Sequence, residues 1–233
     1  MQETLTIILP CYNPTEGWEK NVLAHVTALQ NHLSLNELIL VNDGSKQDLT
    51  KEVNFIKERI NIPFQYVYYA TNKGKGYAIK QGLQKATSEL IIYTDIDFPY
   101  TIESLVDIYS ALKSPEHKIV IGVKDEQYYH SVPVFRKWIS KSLRKMITIA
   151  FKIKTADTQC GLKGIRSSAK HIWLEGKIDR YLFDLEAIYN ATKKNIPIIT
   201  LPITLREGVS FSKIPIQRLI KEVRNFLTLV MHK

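Results

Sequence analysis

Five short apolar, β-rich runs alternate with helix-patterned segments over the first half of this chain, and that alternation limits the fold more than any other feature. The runs are Leu5 to Leu9, Leu38 to Val41, Phe64 to Tyr69, Leu90 to Thr94 and Ile119 to Val123. Between them lie Trp18 to Leu33, Leu49 to Arg59, Gly76 to Ala86 and Ile102 to Leu112, with apolar residues at helical spacing. Strands separated by helices of this length build βαβ units, so the expected class is α/β with a mostly parallel central sheet flanked by helices. Ligands of such sheets bind beyond the carboxyl ends of the strands, where Tyr12, Asp43 and Asp95 fall.

A chain of 233 residues with 45% apolar content is long enough to bury a substantial core. We expect one domain over residues 1–233, with a change of character between 1–123 and 124–233. No run approaches the roughly 20 apolar residues that span a bilayer, and Met1-Gln2-Glu3-Thr4 does not resemble a signal peptide, so a cytoplasmic location is expected. Cys11 and Cys160 form no CxxC and are expected to be reduced thiols.

The formal charge of +9, from 32 Lys+Arg against 23 Asp+Glu, calls for an anionic partner. No helix-turn-helix, zinc-finger or aromatic RNA-binding pattern accompanies it, so no nucleic-acid partner is expected. Trp138 to Lys154 mixes apolar residues with Lys141, Arg144, Lys145, Lys152 and Lys154. A second basic amphipathic stretch runs from Ile216 through Val230. Each stripe can pack on its own core; two together also suit an anionic membrane surface.

Asp95-Ile-Asp97 follows the fourth apolar run. In an extended chain, side chains at i and i+2 share a face, so this pair aims two carboxylates at one place. That is a site for Mg²⁺ or Mn²⁺, which complete their shells with substrate phosphates. The plain alternative is that Asp95 caps the next helix and Asp97 is solvated. Asp43, before Gly44-Ser45, can accept hydrogen bonds from a base or ribose, or can cap its own turn. Pro10 and Tyr12 can pack against a base. Gly74 and Gly76 permit close backbone approach, with Lys75 between them placed to meet phosphates.

Four blocks in order, Ile7-Ile8-Leu9-Pro10-Cys11-Tyr12-Asn13, Val41-Asn42-Asp43-Gly44-Ser45, Asn72 to Gly82 and Asp95-Ile96-Asp97, resemble the nucleotide-binding half of family 2 glycosyltransferases. The resemblance implies the GT-A fold, with residues 1–123 as the nucleotide-sugar-binding half and 124–233 as the acceptor half. It also adds Asn13 to the donor contacts Pro10, Tyr12, Asp43, Lys75 and Asp95. Asp157 to Lys163, Arg180 to Glu186 and Arg206 to Ser210 look like the polyprenyl-phosphate sugar transferases, the group that acts on dolichyl and related lipid phosphates. Pro14 after Asn13, and Lys124, depart from that group's pattern.

That likeness implies an inverting, metal-dependent transfer of a hexose from UDP-glucose or GDP-mannose to a polyprenyl or dolichyl phosphate. Lys124, Arg136, Arg206, Ser210 and Lys213 would hold the acceptor phosphate, with Arg able to bind it bidentately. Asp157 is expected to face the donor sugar as base or orienter, and Glu186 to face the acceptor; Asp184 and Glu186 otherwise read as a surface pair. The expected location becomes the inner face of the membrane, held peripherally, with a membrane partner subunit as a further anchor. Two other functions compete: a transferase that extends a cell-surface polysaccharide on a sugar hydroxyl, which needs a base, and a non-catalytic basic module, which would have no use for Asp95 and Asp97.

Overall fold

The computed structural model describes residues 3–124, 160–180 and 182–209. Among these residues seven strands form one sheet in the order β3-β2-β1-β4-β6-β5-β7. They are β1 (Leu5–Cys11), β2 (Leu35–Asp43), β3 (Phe64–Tyr69), β4 (Leu90–Tyr93), β5 (Ile119–Lys124), β6 (Lys163–Arg166) and β7 (Ile198–Ile203). The expected α/β class, with a mostly parallel central sheet flanked by helices, is observed. β1, β2, β3 and β4 run parallel, as do β5 and β7, while β6 is antiparallel to both β4 and β5.

Helices cover both faces. Trp18, Val22, Val26 and Leu29 recur at turns of three or four residues along α1 (Trp18–Gln30), so a single stripe buries itself. It shares one core with α2 (Thr50–Arg59) and α4 (Ile102–Leu112) against Leu5, Ile7, Leu9, Leu38 and Leu40. Thr101 caps α4 by accepting from the Ser104 amide. On the other face α3 (Lys75–Lys85), α5 (His171–Leu174) and α6 (Phe183–Lys193) pack on Ile8, Ile39, Val41, Ile91 and Tyr93. Alternate residues of each central strand feed opposite cores, which is why the strands read as unbroken apolar runs.

Two expectations need correction. The fourth run ends as a strand at Tyr93, and the Phe98 amide donates to the Asp95 carbonyl at 3.0 Å. Asp95 and Asp97 therefore lie on a turn, and turn geometry, not strand alternation, sets where their carboxylates point. Asp184 and Glu186 are buried, not a surface pair. Their neighbours satisfy them, as described below.

Candidate active site

The carboxyl ends of the neighbouring strands β2, β1 and β4 form one edge. Tyr12 follows β1 and is 44% exposed, and Asp43 ends β2. Asn13 has a positive φ of 45°, a conformation Asn tolerates, and joins the two loops: its amide donates to Ser45 Oγ at 2.9 Å and its Oδ1 accepts from the Lys46 amide at 2.8 Å. Asp43 is 3% exposed and folds its carboxylate onto the next loop. It accepts from Asn72 Nδ2 at 2.7 Å and from the amides of Lys73 and Gly74 at 2.8 and 2.9 Å. Asp43 thereby fixes the entry to α3, which carries Lys75 at its first position.

Lys75 Nζ forms an ion pair with Asp95 Oδ1 across the site. Burial works against the ammonium, but the Asp95 carboxylate more than offsets it, so the Lys75 pKa lies above the ordinary lysine value. Asp97 shows the opposite balance. Burial, with the Asp95 charge next, pushes its carboxyl above the usual aspartate range, and Lys75 and Arg206 only partly compensate.

Two carboxylates share one corner with less positive charge than they can use, which fits a divalent cation. Among the described residues no group of three or more His, Cys, Asp or Glu side chains forms a cage. A cation here would take its remaining ligands from phosphate oxygens and water, as Mg²⁺ and Mn²⁺ do.

The second half reaches this corner through Gly161. A β-carbon added there would lie 2.3 Å from Asp95 Oδ2, so any larger residue would push the Asp95 carboxylate from its present place. Tyr100 Oη accepts from the Gly161 amide at 3.1 Å. Beneath it, Lys163 Nζ binds the Cys160 carbonyl and Asp184 Oδ2, and Asp184 Oδ1 accepts from Tyr93 Oη and Trp173 Nε1. Lys163 and Asp184 thus hold the loop below Asp95. The sequence offered no signal for this pair, because the partners lie 21 residues apart on different elements.

Glu186 is turned to the 176–178 loop, where its oxygens accept from the Lys177 and Ile178 amides at 3.0 and 2.8 Å. A β-carbon on Gly74 would meet the Asp179 carbonyl at 2.5 Å, so this glycine admits the chain's own loop rather than a ligand. Arg206 Nη2 donates to the Asp97 carbonyl at 2.8 Å, and Nε donates to the Phe98 carbonyl. Lys124 ends β5. Asp157, Arg136, Ser210, Lys213 and both basic amphipathic stretches lie outside the described residues.

A mostly parallel sheet that carries an Asp-x-Asp turn and a lysine at one strand edge is the arrangement that the resemblance to glycosyltransferases of the GT-A fold implies. Residues 6–173 match the family model described as glycosyl transferase family 2, and the chain belongs to that family. It is similar to a dolichyl-phosphate beta-glucosyltransferase of Trichomonas vaginalis, 29% identical over 97% of this chain and 73% of the relative. Its fold resembles glucosyl-3-phosphoglycerate synthase from Mycobacterium tuberculosis, with a TM-score of 0.71 at 13% identity over 99% of this chain and 79% of that one. It also resembles a mannosyltransferase from Pyrobaculum calidifontis solved with GDP-Man and Mn²⁺, with a TM-score of 0.59 at 19% identity over 87% and 55% of the two chains.

Proposed function

We propose that this enzyme transfers a hexose, with inversion at the anomeric carbon, from a nucleotide-sugar to a polyprenyl or dolichyl phosphate. UDP-glucose is the first candidate donor and GDP-mannose the second. The observation that carries the proposal is the similarity to a dolichyl-phosphate glucosyltransferase over 97% of the chain. By comparison, the similarity to the poly-beta-1,6-N-acetyl-D-glucosamine synthase of Staphylococcus aureus spans 41% of it.

Asp95 and Asp97 would hold Mg²⁺ or Mn²⁺, which when bound neutralises charge on the departing diphosphate. Lys75, released from Asp95, would meet the same phosphates from the start of α3. Pro10, Tyr12 and Asn13 border the place for the base, and Asp43 keeps the Asn72–Gly74 loop in shape beside it. An acceptor phosphate oxygen forms the new bond to the anomeric carbon while the bond to the diphosphate breaks and the nucleoside diphosphate leaves. That oxygen is already anionic at neutral pH, so no base has to take a proton. The engagement of both Glu186 oxygens with backbone amides supports this reading over attack by a sugar hydroxyl.

Lys124, Arg136, Ser210 and Lys213 are proposed to hold the acceptor phosphate, and Asp157 to orient the donor sugar. The two basic stretches would hold the enzyme peripherally at an anionic inner membrane face, each basic residue contributing on the order of 1 kcal/mol. No helix among the described residues is long and apolar enough to cross a membrane. The test is incubation of the purified protein with UDP-glucose or GDP-mannose, Mn²⁺ and dolichyl phosphate in detergent. Metal-dependent formation of a glycosyl lipid phosphate is expected; transfer only to sugar hydroxyls would put the polysaccharide transferase in its place.

A further inference from the structure

The acidic turn is an unfavourable piece of backbone that other residues hold in place. Phe98 has a φ of 45°, a left-handed conformation that a bulky side chain rarely adopts, yet its ring is completely buried. The ring stacks on His25 with centroids 4.9 Å apart and planes 11° from parallel. The Asp97 carbonyl accepts two hydrogen bonds, from Asn21 Nδ2 at 3.1 Å and from Arg206 Nη2 at 2.8 Å. Arg206 Nε takes the next carbonyl, that of Phe98.

The Arg206 backbone is fixed as well. Its amide donates to the Pro99 carbonyl at 2.9 Å, the Thr101 amide donates to the Thr204 carbonyl at 3.0 Å, and Tyr100 bridges to Leu205. The guanidinium therefore starts from a defined point and grips two successive carbonyls with one edge of its rigid fork.

We infer that Arg206 is a positioning residue of the Asp95–Asp97 turn, locking the Asp97–Phe98 peptide so that both carboxylates keep one orientation. This inference rests on the proposed donor site, and it gives Arg206 a role different from holding the acceptor phosphate. Bidentate capture of a phosphate by the same edge of the guanidinium would require it to release both carbonyls. The segment after β7 then sets the geometry of the metal corner, and the chain that continues from Arg206 is tied to the donor site by its first residue.

Hydrogen exchange followed by mass spectrometry on the ligand-free full chain tests this without any substrate. In Arg206→Ala the amides of residues 94–101 should exchange about tenfold faster, the loss expected when charge-assisted bonds to a turn are removed, while β2 stays unchanged. Asn21→Ala should shift the same segment less, and Arg206→Lys should fall between wild type and Arg206→Ala. Titration with Mn²⁺ and UDP should show affinity falling by a similar factor in Arg206→Ala. Unchanged exchange at residues 94–101 overturns the inference, and so does acceleration spread evenly over the protein, which would make Arg206 a general stabiliser. If Arg206→Ala does not fold, Arg206→Lys carries the same decision. A wild-type protein that binds no UDP refutes the donor site, while the exchange result still decides the role of Arg206.

Discussion

Lys163 Nζ stands 2.8 Å from Asp184 Oδ2, and the two side chains are only 0% and 6% exposed. A buried pair is costly to break one partner at a time, because the survivor keeps its charge in a medium that cannot solvate it. Lys163→Met should therefore lower stability by about 3–5 kcal/mol, read from denaturant unfolding. A loss under about 1 kcal/mol would mean that water reaches Asp184 when its partner leaves.

Asp95→Asn and Asp97→Asn should each cost roughly a hundredfold or more in metal-dependent transfer while circular dichroism stays that of wild type. Full activity of the wild type in excess EDTA would remove the metal from the reaction altogether.

Lys75→Met separates two effects of one side chain. Without the ammonium on Asp95, Mn²⁺ alone should bind more tightly, whereas UDP affinity in the presence of Mn²⁺ should fall by about tenfold for want of a phosphate contact. Calorimetry measures both. If the two affinities move together, Lys75 does not exchange between carboxylate and phosphate.

Glu186→Gln discriminates a loop anchor from a base. The amide can accept from only one of the Lys177 and Ile178 amides, so stability should drop by about 1 kcal/mol. The transfer rate and its pH profile should hold, whereas loss of a general base would lower the rate by about a hundredfold or more.

His25 gives the protein a pH-dependent stability. Burial pulls its pKa below 6.5, and Arg206 nearby adds to this, against the opposing hydrogen bond to the Asn21 carbonyl. The unfolded chain then takes up a proton at a higher pH than the folded one. Stability should be complete above 6.5 and decline as the pH falls from there toward the native pKa. His25→Gln should flatten that part of a melting-temperature profile, and an unchanged slope would assign it to other groups.

The first half of the fold was legible because each run from Leu5 to Val123 is apolar on both faces and each helix keeps one stripe, so period and length agree. The second half hid its strands. β6 is Lys163-Gly-Ile-Arg166, and its two long cations are buried only because Asp184, Glu3 and Glu89 meet them from remote parts of the chain. β7 contains Pro202, which is tolerated because that strand lies at the sheet edge. At the site, the gathering of Tyr12, Asp43 and Asp95 along one strand edge was legible from the order of the runs. The burial of Asp184 and Glu186 was not, since their partners are a distant lysine and the backbone amides of a neighbouring loop.

β5 hydrogen-bonds to β6 and β7, both of which follow it in the sequence, and among the described residues it is β6 that joins it to β4. During synthesis the β3-β2-β1-β4 half can assemble as soon as β4 emerges. β5, with Ile119, Val120 and Ile121 completely buried in the finished protein, must wait for residues 163–166 before it can be annexed to that half. At ribosomal speeds the delay is on the order of seconds. Until then β5 has only α4, which precedes it in the chain and packs against it in the finished protein, to shelter its apolar side chains, and the edge of β4 that β6 will occupy is the feature most open to mispairing with another chain.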